Sequence, residues 1–285
     1  MKLQDILKIY REHPELKAFG AELKEAEKER FRIKGTVGSQ FSMLLTAMFQ
    51  NIQRNTLVVL NDKEDALYFL NDLQALMPKK EILFFPASYK RPYQIEEVDN
   101  ANVLQRAEVL NQLNHTHSGR QLIITFAEAL SEKVINKRSL VRNTLDVKKG
   151  DDCGMDFIVD VLDEYGFEPA DYVWEPGTYS KRGGILDVFS FAHEYPYRIE
   201  FFGEDVESIR SFDPVDQMSR EEHTKVALIP NIQKNLLHEE KTDFLGYMSE
   251  KMQVFVQSVD FVMADLNRQY DRALKYWETL QAESG

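Results

Sequence analysis

The sequence holds a single cysteine, Cys153, among 285 residues. An intramolecular disulfide is excluded and a Cys-rich zinc site disfavoured, so a reducing compartment fits. No apolar run approaches the ~20 residues of a membrane-spanning helix, and no basic–apolar signal segment opens the chain. These absences predict a soluble, cytoplasmic protein without a membrane partner. Positive charge is also short: 35 Lys and Arg stand against 47 Asp and Glu, a formal net charge of −12. Duplex DNA is gripped largely by neutralising its phosphates, so this balance favours a protein partner, although an acidic chain can carry a local basic patch. No Ser-His-Asp or Cys-His pattern stands out, and there is no internal repeat or low-complexity segment. His115 and His117, in "NHTHSG", are spaced like a weak metal pair, but no acidic or Cys partner follows closely and they read as loop histidines. No catalytic residue and no metal site is assigned.

What is present is an ordinary globular composition, 43% hydrophobic and 29% charged, at a length suggesting about two domains. Residues 1–30 repeat apolar side chains at spacings of three and four among charges, the helical pattern. Between 31 and about 130, the apolar runs "TLVVL" (56–60), "ILFF" (82–85) and "QLIIT" (121–125) alternate with the helical stretches "KEDALYFLNDLQALM" and "NANVLQRAEVLNQL". Apolar strands alternating with helices predict a parallel sheet with helices on both faces.

The rhythm changes near residue 140. "TLDVKKGDD" reads as a strand and turn and "MDFIVDVLDEYGF" as a helix. A dense β region follows, in which "RIEFFGEDVESIRSF" alternates as a hairpin about Gly203. After about residue 226 the pattern returns to helices, ending in "FVMADLNRQYDRALKYWETLQ". The expected organisation is an α/β domain over 1–140, a β-rich α+β domain inserted over 141–225, and a helical part over 226–285 completing the first domain. An end on a helical pattern at Gly285 is what a module cut from a longer chain would show.

The stretch "KGTVGSQFSM" (34–43) starts like a phosphate-binding loop, G-x-x-x-x-G-K-[ST], with "FRIK" before it as a candidate strand and an apolar helix after it. Gly35, Gly38, Ser39 and Ser42 fall in place, but the second motif glycine is Gln40 and the lysine is Phe41. In a working loop the lysine ammonium reaches the β- and γ-phosphates, and the glycines let backbone N–H groups approach them. Phe41 offers no charge, and removing one electrostatic stabiliser of this kind costs on the order of 10²–10³ in rate. ATP hydrolysis here is therefore not expected. On this stretch alone, a plain Gly-containing turn without P-loop ancestry stays open.

Residues 175–219, "EPGTYSKRGGILDVFSF…YPYRIEFFGEDVESIRSFDPVDQMS", carry E-x-G-x-[FY]-x-x-R-G-G, then [IL]-[IL]-D-[VI]-F, P-x-R-[IL]-E-F-F and [IV]-E-S-I-R-x-F-D. This ordered signature resembles the bacterial excision-repair protein UvrB and, more closely, the N-terminal UvrB-homology module of the transcription-repair coupling factor Mfd. The resemblance covers most of the chain and places the degenerate loop where that family has its Walker A motif. It implies a helicase-like first domain with a vestigial P-loop. The long DNA-clamping hairpin of UvrB has no room between "FFPASYKRPYQ" and the helix at 99–113.

The resemblance further implies that this module recruits UvrA to stalled RNA polymerase, with Arg182, Arg198 and Phe202 as contacts. It also implies that RNA polymerase, DNA, ATP and Mg²⁺ are handled by other parts of a longer protein, and that one such part masks the UvrA surface. The alternative is a UvrB-like, DNA-dependent ATPase with an unusual loop.

The residue types suit an interface. Arginine presents a planar fork of donors, and binding hot spots are enriched in Arg and aromatics. By strand alternation Arg198, Glu200 and Phe202 share one face while Ile199 and Phe201 form the core face. Arg182→Ala or Arg198→Glu is expected to abolish UvrA binding with the fold intact. The plain alternatives are a surface Arg–Glu pair worth under about 1 kcal/mol and a Phe202 packed over the hairpin. Gly183 and Gly184 read as backbone-geometry glycines. Glu175 and Asp187 are either interface acids or buried partners of the arginines. The basic cluster Lys133, Lys137, Arg138, Arg142, Lys148 and Lys149 reads as a solvated boundary segment before it reads as a DNA contact. "SYKRPY" (88–93) is a weaker candidate for single strands.

Overall fold

The computed structural model describes residues 3–25, 29–49, 52, 54–88, 100–115, 120–191, 193, 195–230, 241–248 and 252–284. His117 and residues 89–93 of "SYKRPY" lie outside this set, as does the His115 side chain. The chain divides into two compact units, one of residues 1–86, 116–132 and 248–285, the other of residues 87–115 and 133–247.

The first unit is built on a four-stranded parallel sheet in the order Gln253–Val256, Thr56–Leu60, Leu122–Phe126, Leu83–Phe84. The two inner strands are buried at every residue. That is why they read as unbroken β-branched and aromatic runs: a strand covered on both faces has no polar alternation. The helix Lys63–Leu76 packs against the strand Thr56–Leu60 and against the helix Gln40–Phe49. Its start is set by Asp62, whose carboxylate accepts the Asp65 N–H at 2.9 Å, an N-cap of the usual kind. Helices Leu3–Glu12, Pro14–Glu25 and Val259–Ser284 also belong to this unit.

Two expectations fail here. "FRIK" forms no strand; residues 29–37 are irregular. The region after 226 is also not purely helical, because "QVFV" is the outer strand Gln253–Val256 of the parallel sheet. A four-residue run with only partial burial has neither the length nor the alternation that marks a strand in sequence.

The second unit carries a six-stranded sheet in the order Ser219–Glu222, Asp205–Phe212, Tyr197–Phe202, Ile185–Val188, Thr178–Arg182, Glu168–Pro169. Neighbours are antiparallel, except that Glu168–Pro169 runs parallel to Thr178–Arg182. Two tight hairpins organise it. One pairs Arg182 with Ile185 across Gly183–Gly184, and the other pairs Phe202 with Asp205 across Gly203–Glu204. Gly183 and Gly203 sit at φ +58° and +66°, the left-handed region that suits glycine in a two-residue turn. One face of the sheet is a core: Leu186, Val188, Ile199, Val206 and Ile209 pack with Met155, Ile158 and Leu162 of the helix Met155–Glu164. Each such fully buried aliphatic side chain contributes roughly 1.5–3 kcal/mol of transfer free energy. This packing fixes the register, and with it the residues that line the opposite face.

Candidate functional site

On that opposite face the organising residue is Asp187, only 1% exposed. The register sets it directly across from Arg198. Arg198 grips it with two bonds, Nε to Oδ1 at 2.7 Å and Nη2 to Oδ2 at 2.9 Å. Arg182 donates its Nη2 to the same Oδ2. The bidentate, charge-assisted contact raises the pKa of the Arg198 guanidinium still further. Arg198 also lies over the Phe212 ring at 4.5 Å and reaches Gln217 Oε1 at 3.3 Å. Its side chain is 18% exposed, whereas that of Arg182 is 43% exposed. The two arginines named from sequence are thus brought together by one buried acid, and Asp187 takes the partner role among its two alternatives.

Beside them Glu200 accepts the Ser208 hydroxyl at 2.5 Å and a guanidinium N–H of Arg210. Phe202, two residues further along the strand, is 78% exposed. Phe201, on the core face, packs against the buried cluster. The alternation read from "RIEFF" therefore holds. A phenylalanine covered by the hairpin would be buried, and Phe202 is not.

The degenerate loop is closed on itself. Gly35 and Gly38 take φ +86° and +56°. The Val37 N–H donates to Oε1 of Gln40 at 2.8 Å, so one backbone donor of the turn is satisfied by the residue that replaces the motif glycine. The Phe41 ring lies 5.0 Å from that of Phe69 and 6.3 Å from that of Phe255. Ser42 is buried, and its hydroxyl donates to Asp72 at 2.9 Å. Ser39 is exposed beside them. Where the motif would aim an ammonium and a metal-binding hydroxyl at phosphates, this chain has an aromatic contact and an internal hydrogen bond. The residues ahead of the loop, 29–34, form no strand either.

The sequence signature finds its counterpart in known proteins. Residues 145–233 match the UvrB interaction domain. The chain is 27% identical to the transcription-repair-coupling factor of Bacillus subtilis over 239 residues, 84% of this chain and 20% of that protein. It is 31% identical to the transcription-repair-coupling factor of Myxococcus xanthus over 211 residues, 71% and 17% of the two chains. The UvrABC system protein B of Oleidesulfovibrio alaskensis is 26% identical over 193 residues, 64% and 28%. The chain is thus a relative of the transcription-repair-coupling factors, as its motifs predict, and spans about a fifth of the length of those it matches.

The UvrB interaction domain match contains the whole six-stranded sheet, and with it Arg182, Asp187, Arg198 and Phe202. What sequence reasoning passed over is the neighbourhood of Arg182. Its guanidinium sits 5.5 Å over the Tyr172 ring, and Tyr172 in turn neighbours Trp174. The motif "YVWEP" carried the signal, an aromatic on each side of a buried valine. The six residues of the basic cluster are all exposed, and Lys137 lies 5.3 Å from the Tyr247 ring. Among the described residues no group of three or more His, Cys, Asp or Glu is placed to hold a metal ion, and no helix is long and apolar enough to cross a membrane.

Proposed function

We propose that this chain is a protein-docking module of nucleotide excision repair, which recruits UvrA as part of a longer transcription-repair-coupling factor and does not itself hydrolyse ATP. The observation that carries the reading is the outer face of the sheet within residues 145–233, where Phe202, 78% exposed, shares the face with two arginines aligned on Asp187. Arginines already held in one geometry lose less entropy when a partner carboxylate arrives. Arg182, with one bond to Asp187 and nearly half its surface open, keeps donors for that carboxylate. The absence of ATPase activity draws support from Phe41, packed against Phe69 and Phe255, and from Ser42, bound to Asp72. Contacts with RNA polymerase and DNA, and the use of ATP and Mg²⁺, belong in this reading to the remainder of the longer protein.

Titration calorimetry with UvrA tests the proposal. Phe202→Ala and Arg182→Ala are expected to weaken binding at least tenfold while melting like the wild type. Wild-type affinity in both would end the reading. Arg198→Glu is the poorer probe, because it sets a second carboxylate against buried Asp187 and disturbs the fold as well as the surface.

A further inference from the structure

We infer that the docking surface continues from Arg182 onto Tyr172 and Trp174, an aromatic pair that takes an apolar ridge of the partner beside the acid that meets the arginines. The inference rests on the docking reading above and extends it to residues outside the signature. Tyr172 and Trp174 are 53% and 58% exposed, with ring centroids 6.4 Å apart. Between them Val173 is 1% exposed and packs with Phe189 and Phe212, the same Phe212 that lies under Arg198. The valine therefore pins the segment to the outer face and turns both aromatic rings outward.

Hydrogen bonds hold the segment on either side. The Ala170 N–H donates to the Tyr179 carbonyl at 2.8 Å, the Ser180 hydroxyl to the Asp171 carbonyl at 3.0 Å, and the Thr178 hydroxyl to the Glu175 carbonyl at 2.7 Å. The rings are thus presented by an ordered strap. Large rigid aromatics offered this way give contact area at low entropic cost.

Charge argues for the same occupant. Arg182, 43% exposed and with one bond to Asp187, sets a half-open positive charge directly beside the aromatic pair. An acidic ridge with an apolar shoulder complements it. Tyr172 acts as a positioning residue: its ring under the guanidinium holds Arg182 toward the partner by a cation–π contact. Trp174 is the contact residue.

The test is the same UvrA titration with Trp174→Ala, Tyr172→Ala, Tyr172→Phe, and Tyr172→Ala combined with Arg182→Ala. Trp174→Ala is expected to weaken binding about tenfold. Tyr172→Ala weakens it and Tyr172→Phe, which keeps the ring, restores it. In the double variant the loss is smaller than the product of the two single losses, the mark of coupled neighbours. Trp174→Gln, closer in chain length, repeats the Trp174 comparison should Trp174→Ala melt early. If Phe202→Ala weakens binding while Trp174→Ala and Tyr172→Ala bind like the wild type, the extension is wrong and the docking reading stands. If the wild-type chain gives no heat with UvrA, both fall.

Discussion

Replacing Asp187 by asparagine keeps the shape of the side chain and removes its charge. Two arginines are then deprived of their common counter-ion, and they do not suffer equally. Arg182 is nearly half exposed and can turn to water. Arg198, 18% exposed and resting on the Phe212 ring, cannot do so without leaving its place. Breaking a buried pair from one side costs about 3–5 kcal/mol, because the remaining charge stays desolvated. The half-exposed second arginine puts the expected destabilisation for Asp187→Asn at the lower end, about 3 kcal/mol. For a domain of roughly 150 residues or more this is a fall of about 6–12 °C in melting temperature, readable by circular dichroism.

Two comparisons isolate the cause. Asp156→Asn breaks the pair with Lys181, where the carboxylate is 86% exposed, and is expected to cost under about 1 kcal/mol. Asp187→Leu with Arg198→Leu removes both buried charges and recovers most of the stability, as apolar replacement of buried pairs commonly does. An Asp187→Asn protein melting within about 2 °C of the wild type would refute the argument that the second face is held by this one carboxylate.

Two other outcomes are expected of the same structure. Gln40→Gly with Phe41→Lys restores the phosphate-loop motif in letters only. Ser42 stays tied to Asp72, and the Phe41 ring no longer packs on Phe69. The double variant should therefore bind no fluorescent ATP analogue and be less stable to denaturant by about 1–2 kcal/mol; saturable ATP binding would contradict this. The pKa of His193 is pulled down to about 4, chiefly by burial, with the Ala227 carbonyl opposing. Unfolded histidine titrates near about 6.5, so between about 6.5 and 4 the unfolded chain binds the extra proton and stability falls as pH is lowered through that window. Urea midpoints over that range should drop less in His193→Gln than in the wild type, and equal drops would refute the assignment.

Much of the fold was legible because its signals were local. The runs at 56–60 and 121–125 announced buried parallel strands through the absence of alternation, and "RIEFFGEDVESIRSF" announced its hairpin through alternation and a glycine. "QVFV" was not legible: its strand identity comes from pairing with Thr56–Leu60, far away in the chain, and no four-residue pattern carries that information. "FRIK" failed in the opposite sense, offering apolar residues in a strand-like rhythm that no neighbour takes up. For the candidate site, sequence could name Arg182, Arg198 and Phe202 and put Phe202 on the outer face. It could not tell that Arg198 is mostly covered, since burial of an arginine depends on which acid the register sets opposite it. Tyr172 escaped notice for the same reason: its closeness to Arg182 is a product of folding.

One outer strand of the parallel sheet, Gln253–Val256, is separated in sequence from its neighbour Thr56–Leu60 by the whole second unit. On a ribosome that strand is the last of its sheet to emerge. The stretch 133–247 is already free to condense while Thr56–Leu60 still waits with one flank bare. A protease cut or premature stop just ahead of residue 253 would leave that flank open to strands from other chains, making the late-arriving strand a safeguard against aggregation as much as a part of the sheet.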